Sequence, residues 1–155
     1  MKYKLTDLSF NHFEYCSKEL VSGTVVNLKY NGQLLEFQTP KVIIQDIIKE
    51  SDKEFLCLQI LGTLACKKFF DKILEFESVL TEHFNLPIQS IFKGDHFNVK
   101  VQVPSVEVFF NGSLFNYYHL RKGMEIICLV QCDKMWISNS LNYHLHVKEI
   151  MLLKK

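Results

Sequence analysis

Two Asn-Gly dipeptides, each between strand-like runs, constrain this chain more than any other feature. Asn31-Gly32 interrupts TVVNLKYNGQLLEFQTP, and Asn111-Gly112 interrupts VEVFFNGSLFNYY. Both residues of such a pair adopt positive φ easily, which a two-residue type I′ turn requires. Before the first turn, Val26, Leu28 and Tyr30 alternate with polar residues, so they share one face of a strand. Two hairpin signals of this kind indicate a β-rich, meandering protein.

Other segments predict further strands. EFLCLQIL (54–61) and MEIICLVQC (124–132) are apolar on both faces, as covered strands are, whereas HFNVKVQV (96–103) alternates and has one polar face. KMWIS and YHLHVKEIMLL are predicted to close the chain as two paired strands.

The segment 63–84 changes from a strand-like to a helical period. Asn85 and Pro87 fit the end of a helix. A stripe of this kind usually packs against a core, so the helix is predicted to plug a β-structure. Its apolar residues recur at helical spacing: Phe69, Ile73, Phe76, Leu80 and Phe84.

Short strands with one helix among them fit the five-stranded Greek-key plan of an OB-fold. We therefore predict a single, mainly β domain over residues 1–155. It forms an OB-like barrel with one amphipathic helix between the third and fourth main strands. A β-sandwich with one helix is the alternative.

The charge distribution excludes a strong global attraction for polyanions, because the net charge is only +1. Residues 91–155 carry 8 Lys and Arg against 5 Asp and Glu, which makes this part weakly basic. Arg121 is the only arginine, so bidentate reading of phosphate or guanine is nearly excluded. The chain has five cysteines, an odd number that does not fit a set of disulfide pairs. We therefore expect the cysteines to be reduced residues of the core in an intracellular protein.

Metal binding and catalysis have weak support. His144 and His146, like Cys128 and Cys132, are spaced to share one face of a strand, but no C-x-x-C or H-x-x-x-H motif occurs. The neighbours Asp95 and His96 are predicted to point to opposite faces of a strand. The chain also lacks a P-loop, a dinucleotide glycine pattern and G-x-S-x-G. We therefore expect no metal, no cofactor and no enzymatic activity.

Aromatic residues interleaved with lysines on strands indicate a platform for single-stranded nucleic acid, which stacks bases on rings and meets phosphates with cations. Lys134 and Trp136 share one face of a strand, while Met135 and Ile137 point towards the core. Alternatively, Trp136 and Tyr143 cap the barrel with their polar atoms in water. The candidate interface residues are Lys29, Tyr30, Lys41, Lys100, Lys134, Trp136 and Tyr143.

Three segments carry a family resemblance: LLEFQTPKV (34–42), FFDKILEFESVL (69–80) and LRKGMEIICLVQCDKMWIS (120–138). In this order they resemble the OB-fold single-stranded-DNA-binding proteins of nucleocytoplasmic large DNA viruses, a family that includes one from African swine fever virus. Met135 replaces the family's usual glycine, and Tyr143, within SLNYHLHVK, takes the place of a second tryptophan. The resemblance implies sequence-tolerant, non-catalytic binding of single-stranded DNA in viral replication or recombination.

The expected partner is therefore single-stranded DNA, with RNA and a homo-oligomer left open, and no membrane. The resemblance implies the host cytoplasm as the location. The alternative function is a protein-interaction or virion structural module on the same scaffold. In that case an exposed edge strand with Phe109 and Phe115 adds to a partner's sheet.

Overall fold

The computed structural model of the chain describes residues 5, 8–9, 13–21, 23–50, 53–103, 105–132 and 134–154. This part contains the helix α1 (Leu64–Phe84) and a 3₁₀ turn at Tyr117–His119. Its strands, in chain order, are β1 (Phe13–Leu20), β2 (Gly23–Tyr30), β3 (Leu35–Gln38), β4 (Val42–Glu50), β5 (Lys53–Gln59), β6 (Phe92–Lys93), β7 (His96–Val101), β8 (Glu107–Phe110), β9 (Ser113–Leu114), β10 (Glu125–Cys132), β11 (Lys134–Ile137), β12 (Leu141–Tyr143) and β13 (His146–Lys154).

Five of these strands close into a barrel. β4, β5 and β7 are successive antiparallel neighbours, and β10 pairs with β4. β13 completes the circle by pairing antiparallel with β10 and parallel with β7. This mixed five-stranded order is that of an OB-fold, so the predicted fold class is confirmed. The helix lies between β5 and β6, and thus connects the second and third barrel strands. The sequence patterns had not singled out β1 or β4.

A smaller antiparallel sheet has the order β1-β2-β11-β12. Its β11–β12 hairpin is inserted between the barrel strands β10 and β13. The predicted pairing of KMWIS with YHLHVKEIMLL is therefore wrong for most of the second segment, because within that segment only Tyr143, the last residue of β12, pairs with β11, and β13 belongs to the barrel. The chain crosses to the barrel at Leu145, whose carbonyl oxygen accepts a 2.8 Å hydrogen bond from the N–H of Lys100.

Both predicted Asn-Gly turns are present. Asn31 and Gly32 have φ of 52° and 75°, and Asn111 and Gly112 have 52° and 81°, as a type I′ turn requires. The second turn joins β8 to β9 as a hairpin. Pairing across the first turn is limited to a bridge between Tyr30 and Gln33, because β2 then stays in the small sheet while β3 pairs with β10.

The helix lies where the sequence predicts it. Thr63 caps its N-terminus by accepting a hydrogen bond from the N–H of Cys66, and Asn85 ends it in the left-handed conformation, with φ of 52°. Its stripe packs into the core, with Phe84 partly buried and these four residues buried: Phe69, Ile73, Phe76 and Leu80. Among the residues that the structure describes, no helix is long and apolar enough to cross a membrane.

We predict that Phe76→Ala lowers the free energy of unfolding by about 3–5 kcal/mol, the usual range for a buried aromatic ring. Phe76 is 2% exposed, and its ring centroid lies 5.4 Å from that of Phe13 and 5.6 Å from that of Tyr143. Urea unfolding measures the change, with Lys68→Ala, at an exposed position of the same helix, as control. A loss as small as that of the control would contradict the assigned core.

Candidate nucleic-acid interface

OB-folds bind oligonucleotides on the outer face of their second and third barrel strands, between the loops that join strands one to two and four to five. Here that face belongs to β5 and β7. It is flanked by the adjoining ends of β4 and β5, at Glu50 and Lys53, and by the connection that carries the β11–β12 hairpin. Phe55, Lys100 and His146 form one cross-strand row over this face. Leu56 and Val99 are fully buried in the barrel. Their sequence neighbours Phe55 and Lys100 therefore point outwards, because successive side chains of a strand alternate between its two faces.

Three rings, Trp136, His144 and Phe55, form a line from the small sheet to this barrel face, and we call them the aromatic line. The ring centroids of Trp136 and His144 are 4.8 Å apart, and those of His144 and Phe55 are 6.2 Å apart. Trp136 is 39% exposed because its neighbour Met135 takes the buried side of β11. The predicted outward orientation of Trp136, beside the exposed Lys134, is confirmed.

Cations converge on the barrel end of the aromatic line. Lys100 lies directly across from Phe55, and Lys53 lies two residues before Phe55, on the same face of β5. The pKa of His144 is lowered from its ordinary value of 6.5, first by burial of the imidazole and then by the positive charges of His146, Lys100 and Lys53. These charges are therefore close enough to act together on a ligand at the aromatic line.

The outer face of the small sheet adds a second group of lysines. Lys134 lies across from Asn27, and Lys29 lies two residues further along β2, on the same face. Lys18 of β1 lies in the cross-strand row of Trp136. Two predicted lysines, Lys29 and Lys134, thus share the surface of Trp136, and a third, Lys100, lies at the other end of the aromatic line.

Two other predicted residues lie away from this surface. Lys41 directly precedes β4, at the opposite end of that strand from Glu50, and its Nζ is 3.8 Å from Glu125 Oε2. Tyr30 is on the inner side of β2, where its ring packs against Phe13 with centroids 5.6 Å apart. Its hydroxyl accepts a hydrogen bond from the N–H of Ser9.

Tyr143 requires a correction, because its ring is enclosed in the core and cannot stack on a base in this structure. It is 4% exposed, and it lies across from the buried Met135, on the inner side of the small sheet. Its hydroxyl donates a 2.5 Å hydrogen bond to Glu77 Oε2, which also accepts one from the N–H of Ile91. Burial, and then the Glu77 carboxylate, raise the pKa of Tyr143 well above its ordinary value.

Several residues of the interface were not among those predicted. Phe55 belongs to EFLCLQIL (54–61), which has apolar residues on both faces, and Lys53 lies just before that segment. The sequence signal that they share one face was their spacing of two. A cavity of about 490 Å³ at this end of the barrel extends the cationic surface. Five of the residues that line it are suited to meeting phosphates or bases: Lys49, Lys53, Lys100, Tyr118 and His146.

Within the described residues, no group of three or more His, Cys, Asp or Glu side chains is placed to hold a metal ion. Cys128 and Cys132 are fully buried, and burial raises the pKa of the Cys128 thiol to about 12. Asp95 and His96, predicted to point apart, do make contact, with Oδ1 and Nδ1 3.5 Å apart. They meet because Asp95 lies in the turn before β7 and not on the strand.

The geometry defines an OB-like barrel with an aromatic face bordered by lysines. Among solved structures, it is similar to gp2.5, a single-stranded DNA binding protein encoded by bacteriophage T7, with a TM-score of 0.59. The match covers 78% of this chain and 87% of that chain, at 12% sequence identity. At this identity the likeness establishes the shared fold. A scan against protein-family models and a search of curated protein sequences gave no match.

We predict that His144 makes the folded state more sensitive to acid. Because its pKa is lowered on folding, the folded protein binds this proton less readily than the unfolded chain does. The stability that the neutral imidazole contributes is therefore present above about pH 6.5 and is lost as the pH falls through the lowered folded pKa.

Urea unfolding at about pH 7.5 and about pH 5 measures this effect, and His144→Gln should lose less stability on acidification than the parent. His119→Gln, at an exposed histidine on another surface, controls for the removal of any histidine. Equal losses in His144→Gln and the parent would contradict the prediction.

Proposed function

We propose that this protein binds single-stranded DNA and catalyses no reaction on it. Bases stack on the aromatic line, while phosphates meet Lys53 and Lys100 at one end and Lys29 and Lys134 at the other. The observation that carries the proposal is this line of rings between two groups of lysines, beside the face on which OB-folds bind oligonucleotides.

Recognition by this surface is expected to tolerate any sequence, because every base has a π-face on which a ring can stack. Arginine is the side chain best suited to bidentate reading of guanine, because its planar guanidinium group presents a fixed fork of donors. Arg121, the only one in the chain, donates to the backbone carbonyls of Tyr118 and Leu120, each at 3.0 Å.

We extend the proposal to viral DNA replication or recombination in the host cytoplasm. The three segments that resemble the large-DNA-virus family support this setting. The likeness in fold to a single-stranded DNA binding protein of a bacteriophage supports the same class of ligand. The five cysteines carry free thiols, which fits a reducing compartment. RNA is the competing ligand.

The second candidate is a protein-interaction or virion structural module, and it requires an exposed edge strand with Phe109 and Phe115. β8, which carries Phe109, is paired on both sides, by β13 and β9. Phe115 is partly buried and packs against Phe110, with ring centroids 6.1 Å apart. This surface therefore gives little support to the second candidate.

We predict that single-stranded oligonucleotide quenches the fluorescence of Trp136, the sole tryptophan. Stacking contributes about 1–3 kcal/mol per base, so Trp136→Ala should weaken binding roughly ten-fold or more. Fluorescence anisotropy of a labelled oligonucleotide measures affinity, with duplex DNA and RNA of the same sequence as competitors.

Leu114→Ala, at a 73% exposed apolar position on β9, is the matched control and should bind as the parent does. A folded Trp136→Ala protein with parental affinity, together with an unquenched parent, would remove the aromatic line from the site. Preferential binding of RNA would replace DNA as the proposed ligand.

We further predict that the lysines of the interface determine the salt dependence of binding. Each phosphate contact with a single strand adds about 0.7 to the slope of log affinity against log salt. Lys100→Ala and Lys134→Ala should each lower this slope by about that amount. Lys41→Ala removes the same charge at the far end of β4 and should leave the slope unchanged. An equal effect of all three substitutions would indicate attraction by overall charge and not by this surface.

A further inference from the structure

The free edge of β1 is long and regular. Among the residues that the structure describes, β1 pairs only with β2, through eight successive residue pairs without a register shift. Most of the strand, from Cys16 to Leu20, is exposed. Edge strands are usually protected by short length, by proline, by a bulge or by charged side chains. FEYCSKEL is eight residues long and has neither proline nor a bulge. Its charged residues Glu14 and Lys18 disfavour strands that oppose them with like charges, but they favour a strand that places opposite charges across from them.

The backbone groups on this edge follow from the turn after β2. Tyr30 and Gln33 exchange two hydrogen bonds, of 2.7 and 3.0 Å, so the backbone of Tyr30 is directed at Gln33 and not at Phe13, its partner on β1. Bonded and non-bonded pairs alternate along an antiparallel ladder. The even-numbered residues 14–18 therefore bond to β2, and the odd-numbered residues 15–19 direct their N–H and C=O groups to the free edge.

An antiparallel pair of two β1 strands must set odd-numbered residues opposite odd-numbered residues. A two-fold axis at Cys16 satisfies this rule and also sets Glu14 of each copy opposite Lys18 of the other. An axis at Tyr15 or Ser17 also allows the backbone hydrogen bonds between odd-numbered residues, but it loses both ion pairs between Glu14 and Lys18. We propose that this protein forms a symmetric dimer through β1, with Cys16 opposite Cys16 of the second copy.

Such a dimer joins the two small sheets into one sheet of eight strands. Glu14, Cys16 and Lys18 lie on the outer face, so both copies present Trp136 on the same side of the joined sheet. Five strand spacings separate the two copies of β11, which amounts to about 24 Å. The dimer itself does not depend on DNA, whereas use of the joined face for binding rests on the proposed function.

Sedimentation velocity without nucleic acid, under reducing conditions, tests the charge pairing. Because of the two-fold symmetry, Lys18→Glu and Glu14→Lys each replace both ion pairs of the dimer with pairs of like charge. Each substitution should raise the dimer dissociation constant about ten-fold or more. A mixture of the two variants restores both ion pairs and should form a heterodimer with parental affinity. Lys148→Glu, an exposed charge reversal on β13, should leave the dimer unchanged.

Disulfide trapping tests the register, with diamide taking two electrons and two protons from the paired thiols. Cys16 is exposed, while Cys57, Cys66, Cys128 and Cys132 are buried, so Cys16→Ser should abolish the covalent dimer. Directly opposed Cα atoms in a non-hydrogen-bonded pair lie about 4.5 Å apart, within the range of a disulfide.

In the Cys16→Ser background, chains with Glu14→Cys and chains with Lys18→Cys should crosslink when mixed and much less when alone. Equal crosslinking of mixed and separate chains would overturn the register. A parent that stays monomeric at its solubility limit would overturn the dimer, as would a dimer that none of the β1 charge reversals weakens. None of these outcomes bears on DNA binding by the single chain.

Discussion

The architecture depends on β13, the strand that closes the barrel. It pairs antiparallel with β10, which precedes it among the barrel strands, and parallel with β7. The chain between β10 and β13 leaves the barrel as the β11–β12 hairpin and returns at Leu145. The carbonyl oxygen of Leu145 accepts a hydrogen bond from the N–H of Lys100. His144 and His146 flank this anchored residue, so the contact that starts the closing strand also places both imidazoles beside Lys100. Barrel closure and the candidate interface therefore depend on the same few residues.

The exposure of Trp136 depends in turn on a polar contact inside the core. Glu77 of α1 is 4% exposed, and burial of a carboxylate is costly unless hydrogen bonds compensate it. Tyr143 of β12 and the N–H of Ile91 supply those hydrogen bonds. They tie the helix, the hairpin and the segment before β6 to one point. With Tyr143 held inwards, its partner Met135 also faces the core, and the alternation of the strand turns Trp136 towards solvent.

Features that a few neighbouring residues determine could be predicted from the sequence. Asn31 and Asn111 set their turns through their own backbone preferences, and alternation alone predicted which way Trp136 faces. The fold class followed because strand-like patterns and one helical stripe leave few architectures. The side on which Tyr143 lies could not be predicted, since it depends on the register of β12 against β11, and no Asn-Gly turn marks that register.

The grouping of the lysines is likewise non-local. Lys41, just before β4, and Lys100, on β7, both lie next to apolar residues, and only the closed barrel separates their positions. Phe55 was missed because its strand is apolar on both faces, and local pattern cannot tell a covered outer face from a binding face.

A net charge of +1 is compatible with binding a polyanion because the lysines differ in their partners. Lys41, Lys49 and Lys122 each lie within 3.8 Å of a carboxylate oxygen. Lys53, Lys100 and Lys134 have no carboxylate partner in the described part of the chain. The pKa of His144 is lowered first by burial of the imidazole, and the neighbouring positive charges of His146, Lys100 and Lys53 add repulsion to it. Such repulsion reduces the stability of the free protein, and an anion bound there relieves it. In the proposed function, this local grouping of cations is what would attract phosphates in spite of the low net charge.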